Sequence, residues 1–126
     1  MDILETCLYV NDLLEAENFY CGLLGFEVYS RRPPRHIFLK AGNGMLLLFN
    51  PEESLKPGSL PVHGTRPGGH ICFEMAQERL DFWEARFELA GFAVTRYDWG
   101  APKGESLMVY DPSGNLVEMA SRALWG

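Results

Sequence analysis

The sequence predicts an α+β fold made of tandem βαβββ modules. The same order of patterns, a strand, then a helix, then further strands, occurs in both halves of the 126 residues. Residues 24–28 and 90–94 each contain a Gly-Phe pair with a valine two positions later. Cys7 and Cys72, on the first predicted strand of each half, align in nearly the same register as these two pairs. A repeat of this length indicates a duplicated supersecondary unit.

The first predicted module spans residues 1–50. Residues 3–10 alternate between apolar and polar side chains, which is typical of a strand with one buried face. Asp12 followed by Glu15 forms a capping box that begins a helix, and Gly25 occupies the position of a left-handed cap that ends it. The remaining strands of the module are predicted at residues 26–30, 36–40 and 45–50.

The second predicted module spans residues 69–126 and forms a single domain with the first. Residues 51–68 are rich in proline and glycine without periodicity, and they predict a linker. Leu80, Trp83 and Phe87 recur at helical spacing, and Gly91 ends that helix. The strands of this module are predicted at residues 70–75, 92–99, 106–110 and 116–121.

Composition and charge exclude several classes of protein. The 47% of apolar residues is too high for a disordered chain, and the apolar runs are far shorter than the roughly 20 residues of a membrane span. Eleven basic against 17 acidic residues, a net charge of −6, do not favour nucleic acid as a partner. The three cysteines are not spaced like the ligands of a structural zinc site. The first residues lack a secretion-signal pattern, so we expect a cytoplasmic location.

The repeat brings residue types that bind metals to equivalent positions. The register of the first strands makes Glu5 on the first strand equivalent to His70 on the fifth. Alignment of the turn glycines that precede the last strands makes Leu48 equivalent to Glu118. Paired modules around a shared cavity could therefore bring Glu5, His70 and Glu118 together. Two carboxylates and a neutral imidazole balance a divalent cation and leave coordination positions open for substrate.

Simpler interpretations of these residues stay open. Glu5 could be a solvated strand residue, and His70 could be a histidine that merely follows a glycine turn. Glu118 is harder to explain in this way, because an unpaired carboxylate on a buried strand is costly. Residues that could line the cavity or reach a substrate are Cys7, Arg35, His36, Leu48, Cys72, Lys103 and Tyr110. The two cysteines are expected there as small apolar groups and not as reactive thiols.

Several local motifs resemble those of one known family. The first half contains Leu8-Tyr9-Val10-Asn11-Asp12, then Phe19-Tyr20 and Leu24-Gly25-Phe26. The second half contains Gly69-His70-Ile71, and a Tyr110-Asp111-Pro112-Ser113-Gly114-Asn115 turn that leads into Leu116-Val117-Glu118. In these segments the chain resembles the vicinal oxygen chelate superfamily. That group includes glyoxalase I, extradiol dioxygenases, fosfomycin-resistance transferases and bleomycin-resistance proteins.

The resemblance implies a fold and a metal site. In that superfamily the modules form curled mixed sheets around a cavity, and a divalent metal in the cavity chelates adjacent oxygens of a small-molecule substrate. His70 and Glu118 fall on metal-ligand positions of the family, whereas Glu5 stands where the family usually has a histidine. Leu48 stands near the position of a fourth ligand in glyoxalase I, which departs from the four-ligand pattern. The metal could be Mn, Fe, Zn, Ni or Mg.

The resemblance also implies an activity and an assembly. We expect a metal-dependent lyase, isomerase or dioxygenase, with Glu118 and Glu5 as catalytic residues and Glu5 as either a ligand or a base. The alternative is a metal-free small-molecule binding protein of the bleomycin-resistance type, and a third interpretation is a family member that only dimerises. The implied assembly is a homodimer with sites at the subunit interface, where Glu5 of one chain meets His70 and Glu118 of the other.

Overall fold

Two four-stranded mixed sheets form the framework of the protein, as the sequence predicts. The computed structural model describes all residues, Met1–Gly126. The first sheet contains β1 (Glu5–Tyr9), β2 (Glu27–Arg32), β3 (His36–Ala41) and β4 (Gly44–Phe49) in the order β1-β4-β3-β2. The second contains β5 (His70–Glu74), β6 (Thr95–Asp98), β7 (Glu105–Tyr110) and β8 (Leu116–Ala120) in the order β5-β8-β7-β6. The identical topology confirms the duplicated βαβββ pattern.

The chain divides into two compact units. The first contains Met1–Gly69 and Pro112–Asn115, and the second contains His70–Asp111 and Leu116–Gly126. In each unit the first strand pairs in parallel with the last, and the other pairs are antiparallel. The parallel pair needs a crossover, which the helical segment between the first two strands of each sheet provides.

The crossover of the first unit begins as predicted and then widens. Helix α1 (Leu13–Glu17) is capped by Asp12, whose carboxylate accepts a hydrogen bond from the Glu15 amide at 2.9 Å. The chain continues as a π-helical segment, Asn18–Leu23, and not as the single α-helix predicted. Phe19 and Tyr20 within it are almost fully buried. With Ala16 they follow the three- and four-residue spacing of an apolar helix face, so the helical pattern of the sequence accounts for their burial.

The segment predicted as a linker contains a short helix. Helix α2 (Pro51–Ser54) begins with a proline and is capped by Asn50, whose side chain accepts a hydrogen bond from the Glu52 amide at 3.1 Å. The chain then runs without regular structure to Gly69. A helix of four residues is too short to show apolar periodicity, which is why the sequence pattern did not reveal it.

The second unit follows the predicted order with shorter elements. A 3₁₀ turn, Gln77–Arg79, leads into α3 (Leu80–Leu89), which buries Leu80 and Phe87 completely. Strand β6 is shorter than the predicted strand at 92–99. No helix has both the length and the apolar character that a membrane span requires.

Candidate functional site

The strand register of the second unit brings two predicted metal ligands together. His70 begins β5, Glu118 lies on the neighbouring parallel strand β8, and His70 Nε2 is 3.2 Å from Glu118 Oε2. The other ring nitrogen, Nδ1, lies 3.1 Å from the Leu116 carbonyl oxygen. A carbonyl only accepts hydrogen bonds, so this contact places the hydrogen of a neutral imidazole on Nδ1. The lone pair of Nε2 is then left facing a carboxylate oxygen.

The carboxylate of Glu118 is buried and incompletely satisfied. Its side chain is 7% exposed, and Oε1 has no hydrogen-bond partner. An unpaired buried carboxylate oxygen is costly unless a proton or a cation compensates it. An imidazole nitrogen and a carboxylate oxygen are the donors that Zn²⁺, Fe²⁺, Mn²⁺ and Ni²⁺ accept. The residues of this pair therefore fit a divalent metal.

No group of three or more His, Cys, Asp or Glu side chains is placed to hold a metal ion. Glu5 lies on β1 of the first unit, where its side chain is exposed. The role of Glu5 as a third ligand or as a base stays a prediction.

The register corrects one predicted equivalence. Cys72 pairs with Glu118 on β8, and its counterpart Cys7 pairs with Leu47 on β4. The equivalent of Glu118 is therefore Leu47, and the prediction that it is Leu48 was wrong by one residue. The error came from aligning the turn glycines, because the turn before β8 is longer than the turn before β4. A shift of one residue moves a side chain to the opposite face of a sheet.

Leu48 illustrates that change of face. Its side chain is fully buried in the core of the first unit. Leu47 instead lines a cavity of about 510 Å³ on the sheet. The cavity is lined by Glu5, Thr6, Cys7, Tyr9, Leu47, Phe49 and His63. Glu5, Cys7 and Tyr9 alternate along β1, so they share one face of the strand, and all three line this cavity.

Tyr9 and His63 line the same cavity, and neither was predicted as a site residue. The Tyr9 hydroxyl lies 2.6 Å from His63 Nδ1, and the His63 ring packs edge-on against Phe49 at 4.6 Å between centroids. Ser54 holds the segment by donating a hydrogen bond to the His63 carbonyl at 2.6 Å. His63 lies in the segment predicted as a linker, so no periodicity marked it. The shared face with Glu5 and Cys7 could have marked Tyr9.

Arg35 and His36 lie beside Phe49. Arg35 Nη1 is 2.8 Å from His36 Nδ1, and its guanidinium lies 5.1 Å from the centre of the Phe49 ring. The His36 ring stacks on Phe38 at 3.9 Å between centroids. Burial, followed by the charges of Arg35 and Arg32, lowers the pKa of His36. His36 is thus a neutral acceptor for Arg35 within an aromatic cluster.

The other predicted substrate contacts lie in the second unit. Cys72 borders a cavity of about 200 Å³ beside Glu74 and Trp125. Burial, followed by the charge of Glu118, raises the pKa of Cys72 to about 11, which agrees with the expectation of an unreactive thiol. Lys103 is exposed in the turn before β7, and Tyr110 is exposed at the end of β7. Contact of these side chains with a substrate stays a prediction.

Comparison with solved structures places the fold. The chain is 39% identical to a structure described as lactoylglutathione lyase from Agrobacterium tumefaciens, with a TM-score of 0.92, covering 99% of this chain and 96% of that one. A virulence protein from Salmonella typhimurium is 23% identical with a TM-score of 0.72, covering 96% of both chains. The fosfomycin resistance protein FosX from Listeria monocytogenes is 19% identical with a TM-score of 0.73, covering 95% and 90%. The last two show likeness of fold alone.

Comparison with families gives the same result. A search of curated proteins finds no match. The model of the Glyoxalase/Bleomycin resistance protein/Dioxygenase superfamily matches residues 2–119, which is nearly the whole chain. Together with the repeated four-stranded sheets, this match establishes the family. The chain belongs to the Glyoxalase/Bleomycin resistance protein/Dioxygenase superfamily.

Proposed function

We propose that the protein is a metal-dependent enzyme that acts on adjacent oxygens of a small molecule, with lyase or isomerase chemistry. The observation that carries this proposal is the His70–Glu118 pair, in which a ring nitrogen faces a buried carboxylate at 3.2 Å. The relative at 39% identity is described as a lactoylglutathione lyase, which favours lyase over dioxygenase chemistry.

The proposed ligands are His70 and Glu118 of one subunit and Glu5 of a second subunit in a homodimer. No group of three His, Cys, Asp or Glu side chains is placed to hold a metal ion, and in this proposal the second subunit supplies the third ligand. With Glu5, the charges of the two carboxylates balance a divalent cation. Three protein ligands leave positions for the adjacent oxygens of a substrate.

The chain's own residues have distinct proposed roles. The Leu116 carbonyl orients the His70 ring through Nδ1, so that Nε2 is available as a ligand. The core residues Val117 and Met119 fix the backbone on either side of Glu118. Glu5 is exposed on its strand, so its carboxylate can take a proton from the substrate if it is not bound to the metal. A bound metal would supply polarisation of the substrate oxygens and stabilisation of the anion formed.

The test is metal-dependent turnover. Protein purified without chelators would be loaded separately with Mn²⁺, Fe²⁺, Ni²⁺, Zn²⁺ or Mg²⁺ and incubated with lactoylglutathione, and chromatography would follow its loss. We expect turnover with at least one metal, abolished by a chelator and by Glu118→Ala. Glu27→Ala is the matched control, because Glu27 is an exposed carboxylate on β2 that pairs with Lys40. Metal binding without turnover of this substrate would refute the lyase assignment.

The same experiment addresses the alternative of a metal-free binding protein. That alternative is favoured by the cavity on the first sheet, whose walls include Tyr9, Leu47 and Phe49. If the protein takes up no metal and Glu118→Ala changes neither metal content nor ligand binding, the enzymatic proposal is wrong and the binding protein remains.

A further inference from the structure

The cavity on the first sheet has the size and walls of a small-molecule site. Its volume of about 510 Å³ falls in the range of roughly 300–1,000 Å³ that is common for ligand pockets. Leu47 and Phe49 on β4 form apolar walls, and the Tyr9 and His63 rings add a polar atom each. A flat apolar group with one polar end matches these surroundings.

The hydrogen bond between Tyr9 and His63 prepares a donor for that polar end. Burial, followed by the nearby Cys7, raises the pKa of the Tyr9 phenol, so the phenol keeps its proton near neutral pH. The phenol lies 2.6 Å from His63 Nδ1, and in the Nε2–H tautomer of the imidazole it donates to Nδ1 while the ring hydrogen is on Nε2. Nε2 makes no hydrogen bond within the chain, so its N–H is available to an occupant of the cavity.

The position of His63 is fixed before any ligand arrives. Ser54 holds its backbone carbonyl, Tyr9 holds one ring nitrogen, and Phe49 packs against the ring. A donor held in this way loses little conformational freedom on binding, which favours affinity.

The charges around the cavity favour one orientation of a bound ligand. Arg35 lies against the Phe49 ring, which the His63 ring also contacts, so this end of the cavity has a positive charge nearby. Glu5 is four residues from Tyr9 along β1, which is roughly 13 Å in a strand. An anionic group would be repelled by Glu5 and attracted towards Tyr9 and His63.

We propose that His63, held in position by Tyr9, binds the carboxylate of an aromatic carboxylic acid group, with the aromatic ring against Leu47 and Phe49. This inference rests on the proposed function, because it assumes that the substrate of that enzyme binds its non-reacting end in this cavity. In this arrangement His63 contacts the ligand and determines its specificity, whereas Tyr9 is a positioning residue that acts through His63.

The test uses benzoate as the probe, with benzyl alcohol as an uncharged comparison, and the full chain labelled with ¹⁵N. Spectra would be recorded with and without chelator, because a carboxylate could also bind a metal. We expect benzoate to shift the amide signals of Thr6, Leu47 and Phe49 in both conditions, and benzyl alcohol to bind more weakly. His63→Phe, which keeps a ring but no N–H, should weaken benzoate binding about 10- to 100-fold. His63→Gln, which keeps an N–H donor at this position, should recover part of the lost affinity for benzoate.

Tyr9→Phe tests the positioning role. It should change the ¹⁵N signature of the His63 ring from the Nε2–H tautomer to a mixture and weaken benzoate binding less than His63→Phe does. Tyr29→Phe is the control, because Tyr29 is exposed in the same unit. Thermal unfolding would establish that each variant is folded.

Two results would overturn the inference. One is benzoate binding that His63→Phe leaves unchanged, and the other is binding that disappears with chelator, which would indicate a metal ligand. Mn²⁺ titration of the Glu118→Ala variant separates this inference from the proposed function. If Mn²⁺ binding survives that substitution while benzoate still depends on His63, the proposed metal site fails and the carboxylate site stands.

Discussion

His70 Nε2 lies 3.2 Å from Glu118 Oε2, and the relationship is set by the register of two neighbouring parallel strands. His70 pairs with Leu116 and Cys72 pairs with Glu118, so the two side chains meet diagonally across the sheet. A pair positioned by a sheet is held more precisely than one positioned by loops. The donors of the proposed metal site are therefore prepared before a metal binds.

Replacing Glu118 with glutamine should not destabilise the metal-free protein. The amide fills the same volume without a charge, and in the wild type Oε1 is buried without a partner. We expect Glu118→Gln to leave the free energy of unfolding unchanged or to raise it by about 1–3 kcal/mol in chelator, measured by urea denaturation. A loss of about 2 kcal/mol or more would show that the carboxylate is already well paired without a metal.

Asn115 is predicted to stabilise the first unit. Its side-chain oxygen accepts hydrogen bonds from the Gly68 and Gly69 amides, and its nitrogen donates to the Tyr9 carbonyl, each at 2.9 Å. Asn115→Ala would remove these three hydrogen bonds, whose partners are partly exposed, and should cost about 1–3 kcal/mol of unfolding free energy. Asn115→Asp, which keeps the acceptor, should cost less. Equal losses in chemical denaturation would contradict this assignment.

The Arg96 cluster should contribute to the stability of the second unit. Arg96 is 22% exposed and pairs with Asp81, Glu84 and Glu105 at 3.0, 2.7 and 2.6 Å. Because the Asp81 contact is exposed to solvent, we expect Arg96→Met to cost about 1–2 kcal/mol and not the sum of three strong pairs. The control is Arg122→Met, whose pair with Glu74 is exposed, and it should be neutral. Similar melting temperatures for both variants would contradict the prediction.

His36 should make the stability depend on pH. Its pKa is lowered in the folded protein by burial and by Arg35 and Arg32, so the unfolded chain binds the proton more readily. The stabilisation is complete above the unfolded pKa of about 6.5 and is lost as the pH falls towards the lowered pKa. His36→Gln, which can still accept from Arg35, should lose less stability than the wild type between about pH 7.5 and 5.5. Denaturation curves with parallel pH dependence would contradict this.

Glu5 provides a prediction about assembly. It is exposed, so Glu5→Gln should change the unfolding free energy by less than about 0.5 kcal/mol while weakening metal binding. If Glu5 comes from the second subunit, dilution of the wild type to monomer should release metal as well. Sedimentation with simultaneous metal analysis would measure both. A true monomer that retains full metal affinity would refute the shared site.

The sequence was sufficient for the sheets and for part of the site. Strand alternation and the repeat at Cys7 and Cys72 predicted the order of the elements along the chain, because a duplicated pattern constrains both copies at once, whereas the order of the strands within each sheet comes from the structure. The lengths of the turns before β4 and β8 could not be read from the pattern. Leu48 was therefore taken as the equivalent of Glu118, whereas the strand register makes Leu47 its equivalent. His63 was missed because an irregular segment carries no period, and its contact with Tyr9 depends on how that segment packs.

The most direct test of the central claim is calorimetric titration of chelator-treated protein with Mn²⁺ and Zn²⁺. The account predicts saturable binding by the wild type that is lost in both His70→Ala and Glu118→Ala, with Glu27→Ala unaffected. Binding that persists in the first two variants, or no binding by the wild type, would contradict the proposal that a metal lies between this imidazole and this carboxylate.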